Sequence, residues 1–303
     1  MTYDGSPIRV KVPATSANLG AGFDCLGIAL HLHDVYEFRL SKSEQVHVEG
    51  VAKLDIAIDQ PNLALDSARQ LSREVGKEFC HLRLDEYTNI PVARGLGSSA
   101  GAIVAGLAAA NHALGNPLSK DRLIELATDI EGHPDNVIPA ITGGLALSIT
   151  GSHPIDWIKV DMPSTLTAVV AIPELRIPTS ESRQVLPRDV SIDDAVFNSS
   201  RTALFMYAIQ TQNFQLLKQA MQDRLHQPHR AKLHRSLDSI LESAYIGGAH
   251  GAALSGSGSA VLAFCTSDAD TIGMHMCEAA ESAGIECQYL KMPLQNFGYK
   301  ILK

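Results

Sequence analysis

No run of lysine and arginine occurs anywhere in these 303 residues, and acidic side chains outnumber basic ones 33 to 25. A chain built to grip nucleic acid carries a basic stripe, so no nucleic-acid partner is expected. Long apolar runs are missing as well. The longest, at 102–110, ends at Asn111 and His112, far short of the roughly 20 residues that span a bilayer. No membrane association is expected. The opening MTYDGSPIRVKV has no basic-then-apolar export pattern. Five cysteines (Cys25, Cys80, Cys265, Cys277, Cys287) are scattered without a Cys-x-x-Cys pair. That spacing argues against a disulfide framework and a zinc site, and reduced thiols in a cytoplasmic protein are the expectation. Internal repeats and low-complexity tracts are absent too.

What is present is ample material for a core. The chain is 45% hydrophobic and 19% charged, with mean hydropathy near zero, an ordinary globular balance. Its length exceeds what one compact core usually spans, so two lobes are expected, divided at 1–155 and 156–303. Ile8, Val10 and Val12 alternate with Arg9 and Lys11, a half-buried strand by its period of two. Further strands are predicted at 35–40, 46–51 and 81–85. A helix over 63–75 puts Leu65, Ala68, Leu71 and Val75 on one face, and Gly76 stops it. Ser119 starts another with Leu123, Ala127 and Ile130 in phase, ending at Gly132.

The second half reads as a strand at 167–173 and a helix opening at Ser191, whose Asp193 and Asp194 suit the positive end of the dipole. Two more helices are marked by Leu216, Leu217, Ala220, Met221 and Leu225, and by Leu233, Leu237 and Leu241. Two strands around a Ser/Gly loop (AHGAALSGSGSAVLAF), a helix from Ser267 and a last strand at 287–292 complete the chain. Strand, helices, strand, strand, helix, strand is the order of a split βαβ, ferredoxin-like layer. The expected fold class is α/β (α+β), with two lobes meeting at a cleft.

The densest chemical signal is PVARGLGSSA at 91–100. Its glycines permit positive φ and close approach of the backbone to a ligand. The small, apolar helix-forming run behind it means that the loop delivers free N–H groups at a helix N-terminus, an anion site. No lysine follows the glycines, so this is not the common phosphate loop. Read by residue preference alone, the segment also fits a tight turn with Ser98 or Ser99 as a helix cap. Asn18 and Asp24, in a glycine-rich bend after the first strand, fit Asx-type turns equally well. Glu131 sits at a helix C-terminus, where the dipole disfavours a carboxylate by roughly 0.3–1 kcal/mol. Arginines such as Arg183 and Arg230 suit bidentate binding of a carboxylate or plain solvation.

PVARGLGSSA resembles the nucleotide-binding motif of the GHMP kinase superfamily. VPATSANLGAGFDCLGIAL at 12–30 resembles the N-terminal motif of its homoserine kinases, and LSGSGSA at 254–260 its third, glycine-rich motif. The resemblance covers nearly the whole chain. It implies a first lobe like the second domain of ribosomal protein S5, a ferredoxin-like second lobe, and ATP with Mg²⁺ as cofactors. It also implies transfer of the γ-phosphoryl group to the side-chain hydroxyl of L-homoserine, for threonine synthesis. ATP contacts are then expected from Pro91, Val92, Ala93, Arg94, Gly95, Leu96, Gly97, Ser98, Ser99, Ala100 and Gly101, with Asn62, Gly256 and Ser257. Ser99 and Glu131 are the implied catalytic pair and metal ligands.

His133-Pro134-Asp135-Asn136, Thr179-x-x-x-Arg183 and Pro228-x-Arg230 resemble substrate-contacting segments of that family. Asn18, Asp24, His133, Asn136, Thr179, Arg183 and Arg230 are therefore the implied homoserine contacts, with Asp24 suited to the ammonium group. Only Gly132 separates Glu131 from His133, where many members carry more residues, so Asp135 stays open as the metal carboxylate. Ala21 and Ser259 stand where the family commonly has proline, and altered loop stiffness rather than lost function is expected there. No general base is assigned. Another small-molecule kinase of the superfamily (mevalonate, shikimate or sugar) and a non-catalytic ligand sensor are the alternatives, and a homodimer is left open.

Overall fold

The computed structural model describes residues 6–57, 61–77, 81–151 and 154–303; Cys80 and the first five residues lie outside them. In chain order the first half forms β1 (Ile8–Ala17), β2 (Leu26–Leu40), β3 (Gln45–Gly50), α1 (Leu63–Glu74), β4 (Leu82–Thr88), α2 (Ser98–Ala113), α3 (Lys120–Glu131), α4 (Pro134–Thr142), β5 (Leu145–Ile149) and β6 (Asp156–Val160). The second half forms β7 (Thr167–Pro173), α5 (Thr179–Gln184), α6 (Ile192–Thr211), α7 (Leu217–Ala220), α8 (Gln227–Arg230), α9 (Leu237–Ile246), β8 (Gly251–Leu254), β9 (Val261–Cys265), α10 (Ala269–Ser282), β10 (Cys287–Pro293) and β11 (Lys300–Leu302).

The first sheet runs β11-β1-β2-β4-β3, and β5 and β6 extend it from the start of β2. The long strand β2 serves two neighbours: Leu26–Ile28 pairs with β5, and its second half with β4. The second sheet has the order β10-β7-β9-β8 with antiparallel neighbours, which is the ferredoxin-like arrangement that the element order predicts. Strand β6 pairs with β5, so the first sheet continues past residue 155. The chain does not close at β10 as the sequence suggests. Leu294 bridges to Leu30 and β11 pairs with β1, tying the C-terminus back to the first sheet.

Three apolar cores result. One lies between the first sheet and helices α1 to α4, and another between the second sheet and α9 and α10. A third joins the lobes: Leu19, Leu26, Ile28 and Leu30 of the first pack with Val170, Ile172, Leu262 and Phe264 of the second, roofed by Phe205 and Ile209 of α6. Burying one such side chain contributes about 1.5–3 kcal/mol, so the lobes are held as one unit around whatever lies at their seam. Among the described residues no helix is long and apolar enough to cross a membrane, and the cysteines described are free.

Candidate active site

The seam opens into a cleft lined by the end of β1, the 92–99 loop and helix start, residues 131–136, Thr179, Arg183, Arg230 and the tip at Gly256 and Ser257. Three segments far apart in sequence build its floor. Gly97 caps α2 in the left-handed region (φ +71°), and no side chain caps that helix. The cap reading of Ser98 and Ser99 therefore does not hold, and the first-turn N–H groups face the cleft uncovered, an arrangement that favours an anion. Gly95 is required by contact: a Cβ there would stand 2.0 Å from the Ser255 carbonyl. Ser255 Oγ donates to Gly95 O at 2.6 Å, so the Ser/Gly hairpin is pressed against the loop as a rigid turn.

Glu131, the last residue of α3, accepts from Ser99 Oγ at 2.5 Å. The short Glu-to-His spacing thus still brings carboxylate and hydroxyl together. Next comes α4, with Pro134 in its first turn and Pro139 inside. Proline is favoured at a helix start, while an internal one leaves the carbonyl four residues earlier unpaired. Here that carbonyl is Asp135 O, and a Cβ on Gly27 would fall 1.6 Å from it, so glycine lets β2 close over the gap. His133 Nδ1 pairs with Asp135 Oδ1 at 2.9 Å, and Thr15 Oγ1 donates to Asn136 Oδ1 at 2.7 Å.

At the other end of the cleft Arg183 donates both terminal nitrogens to Asp24, at 3.0 and 2.8 Å. Asn18 Oδ1 accepts from Asp24 N and its Nδ2 donates to Gly256 O, both at 3.0 Å, so it fastens two loops as well as lining the site. Arg230 donates to Gly256 O at 2.8 Å, and the Arg183 and Arg230 guanidiniums lie 5.8 and 5.4 Å from the Phe23 ring centre.

Not every expected residue reaches the cleft. Pro91, Ala100 and Gly101 support the loop from behind, outside the lining set. The Arg94 side chain turns away to Glu174 (2.9 Å). Asn62 caps α1 through Ala64 N and Leu65 N and donates to Glu86 at 2.7 Å. Hydrogen bonds tie the loops at positions 21 and 259 in place. Ser259 Oγ donates to Pro173 O and Leu175 O at 3.1 and 2.5 Å, and Ala21 O accepts from Asn198 and Thr202.

Comparison with known proteins follows the same layout. The family of GHMP kinases N terminal domains matches residues 62–144, and that of GHMP kinases C terminal domains matches 205–281. A homoserine kinase of Desulfitobacterium hafniense is 40% identical over 296 residues, covering 97% of this chain and 100% of that protein. One of Moorella thermoacetica is 41% identical, with 97% and 99% covered. The crystal structure of homoserine kinase from Cytophaga hutchinsonii superposes with a TM-score of 0.88 at 28% identity, covering 100% of this chain and 99% of that one. The chain belongs to the GHMP kinase family.

The charges of this GHMP kinase are arranged for a cation beside an anion. Burial raises the Glu131 pKa above the ordinary carboxylate value, only partly offset by the Ser99 hydrogen bond. A carboxylate so placed is relieved by a positive ion. Among the described residues no three His, Cys, Asp or Glu side chains could hold a metal together, but Mg²⁺ commonly takes one or two protein oxygens plus phosphate and water. Ser99 and Glu131 fit that pattern. Burial lowers the Arg230 pKa to about 10, which leaves it cationic at neutral pH. Sequence reasoning passed over Phe23, which lies under both guanidiniums, although it sits inside the N-terminal motif. Ser255 lies inside the third motif and His226 two residues before Pro228-x-Arg230, so both were within reach of the motifs; nothing in its spacing separates Asp223, buried beside His226, from ordinary polar positions.

Proposed function

We propose that this kinase transfers the γ-phosphoryl group of ATP to the side-chain hydroxyl of L-homoserine, giving O-phospho-L-homoserine for threonine synthesis in the cytoplasm. The observation that carries the reading is one cleft holding an uncapped helix N-terminus at one end and Asp24, Arg183 and Arg230 at the other. The first end suits a phosphate chain, the second an amino acid's ammonium and carboxylate. The named activity of relatives about 40% identical over nearly the whole chain supports it.

Phosphoryl transfer is mostly positioning and charge stabilisation. The N–H groups at 97–99 and the Gly256 loop would cradle the phosphates, and Ser99 with Glu131 would hold Mg²⁺, which supplies positive charge next to them. Asp24 and the two arginines would orient homoserine by its polar end, leaving its hydroxyl toward the helix terminus. His133, held by Asp135, and Asn136, held by Thr15, line the wall between the two ends. Incubation with ATP, Mg²⁺ and homoserine, followed by ³¹P NMR, tests the reading: a phosphomonoester signal dependent on homoserine is expected, and ADP without it would contradict the proposal.

A further inference from the structure

Arg230 is only 3% exposed, and its direction is set by three neighbours. Its NH1 donates to Gly256 O at 2.8 Å and to His226 Nδ1 at 3.1 Å, and its Nε lies 3.4 Å from Ser182 O. His226 is fully buried and stands outside the cleft lining. Its Nε2 lies 2.9 Å from the Gly20 carbonyl. An arginine only donates, so Nδ1 must be an acceptor and the ring proton belongs on Nε2, where Gly20 O receives it.

The imidazole also stacks on Phe23, ring centres 5.2 Å apart. It therefore touches three parts of the amino-acid end: the Gly20 turn, the Phe23 platform beside Asp24, and Arg230. The charged group nearest Nε2 is Asp223, at 3.5 Å. That carboxylate is already served by Asn198 Nδ2 and by the N–H groups of Leu225, His226 and Gln227, at 2.6–3.0 Å, so it has no need of an imidazolium. Burial lowers the His226 pKa; the Asp223 charge opposes this and the Arg230 charge adds to it, and the net shift is downward, in keeping with a neutral ring.

We propose that His226 is a positioning residue, whose single neutral tautomer locks Arg230 to the Gly20–Asp24 turn and so sets selectivity for a substrate carboxylate. The inference rests on the homoserine reading above. Asparagine places its amide near the position of Nδ1, and glutamine places its amide near Nε2. His226→Asn keeps an acceptor for Arg230, whereas His226→Gln keeps only a donor for Gly20. We expect the KM for homoserine to rise at least about tenfold more in His226→Gln than in His226→Asn, with kcat and the KM for ATP alike in the two. A general structural role would move all parameters together.

¹⁵N NMR of the ring in the unaltered protein needs no variant to fold. It should find Nδ1 unprotonated and Nε2 protonated from about pH 6 to about pH 8, across the ordinary histidine range. A protonated Nδ1, or equal KM values in the two variants, would overturn the inference while leaving homoserine turnover by the parent intact. A parent inert toward homoserine would overturn both.

Discussion

Ser99 and Glu131 meet at 2.5 Å across the start of one helix and the end of another. The carboxylate stands against the α3 dipole and is pushed toward neutrality by burial, so the pair gains most when a cation joins it. Glu131→Gln keeps the shape and removes the charge. Turnover should fall by roughly 10²-fold or more, about 2.7 kcal/mol, and the Mg²⁺ requirement should shift upward. Initial rates over a Mg²⁺ titration check this. A Glu131→Gln enzyme that titrates like the parent would move the metal to Asp135.

The Arg183–Asp24 pair was not expected as a pair. The resemblance implies that Asp24 meets an ammonium and Arg183 a carboxylate, yet in the structure the two side chains form an ion pair with each other. Their side chains are 38% and 32% exposed, so water screens the pair and substrate can exchange into it. Truncating a buried, hydrogen-bonded charge costs about 2–5 kcal/mol. Arg183, being partly exposed, belongs at the lower end, roughly a 30-fold loss in kcat/KM for homoserine at 1.4 kcal/mol per tenfold. Arg230→Met should lose more. Homoserinol, without the carboxylate, should be a poor substrate of the parent, and its disadvantage should shrink in both variants. An unchanged homoserine-to-homoserinol ratio would remove the arginines from carboxylate recognition.

Gly97 has a double constraint. Its φ of +71° disfavours other residues, and a Cβ would lie 1.9 Å from Thr15 Oγ1 and 3.2 Å from Asn136 Oδ1. A side chain here would strike the wall holding Asn136 before it reached a bound phosphate. Gly97→Ala should lower the melting temperature and weaken nucleotide binding at least about tenfold, about 1.4 kcal/mol. Gly76→Ala, with φ +66° and no atom of the described residues within 4 Å of the new Cβ, supplies the control. It carries only the torsional cost, about 1–3 kcal/mol, and should leave affinity alone. Equal behaviour of the two in calorimetry would contradict the packing argument.

His133 gives a pH signature. Burial alone would lower its pKa, but the Asp135 hydrogen bond and the charges of Asp135 and Glu131 outweigh it, and the net shift is upward. The stability this imidazolium adds is fully present below the unfolded value near 6.5 and disappears as pH rises through the higher folded value. Denaturant unfolding of parent and His133→Gln should therefore differ more at about pH 6 than at about pH 8.5. A difference that grows with pH would contradict the Asp135 contact.

Much of this was legible along the chain, for local reasons. Ser119 and Gly132 bracket α3 as predicted, and the apolar run of β7 announces itself between its neighbours. Helix α4 was hidden because Pro134 and Pro139 read as breakers, and only Gly27, on another strand, shows how the second is accommodated. The helix suggested by Leu216 to Leu225 stops at Ala220, since Asp223 takes the N–H groups of residues 225–227. Strand β11 has three residues, and its pairing with β1 spans nearly the whole sequence, beyond the reach of any local pattern. At the site the motifs located the lining, but the directions of Arg94 and Asn62 depend on Glu174 and Glu86, which no motif contains.

A cleft with an anion site at one end and Asp24, Arg183 and Arg230 at the other should phosphorylate homoserine in preference to other small alcohols. ADP release measured with homoserine, mevalonate, shikimate and galactose at fixed ATP and Mg²⁺ tests it most directly. Turnover with homoserine is expected, with kcat/KM values at least about a hundredfold lower for the other three, a margin of about 2.7 kcal/mol. Equal or faster release with any of them, or none with homoserine, would contradict it.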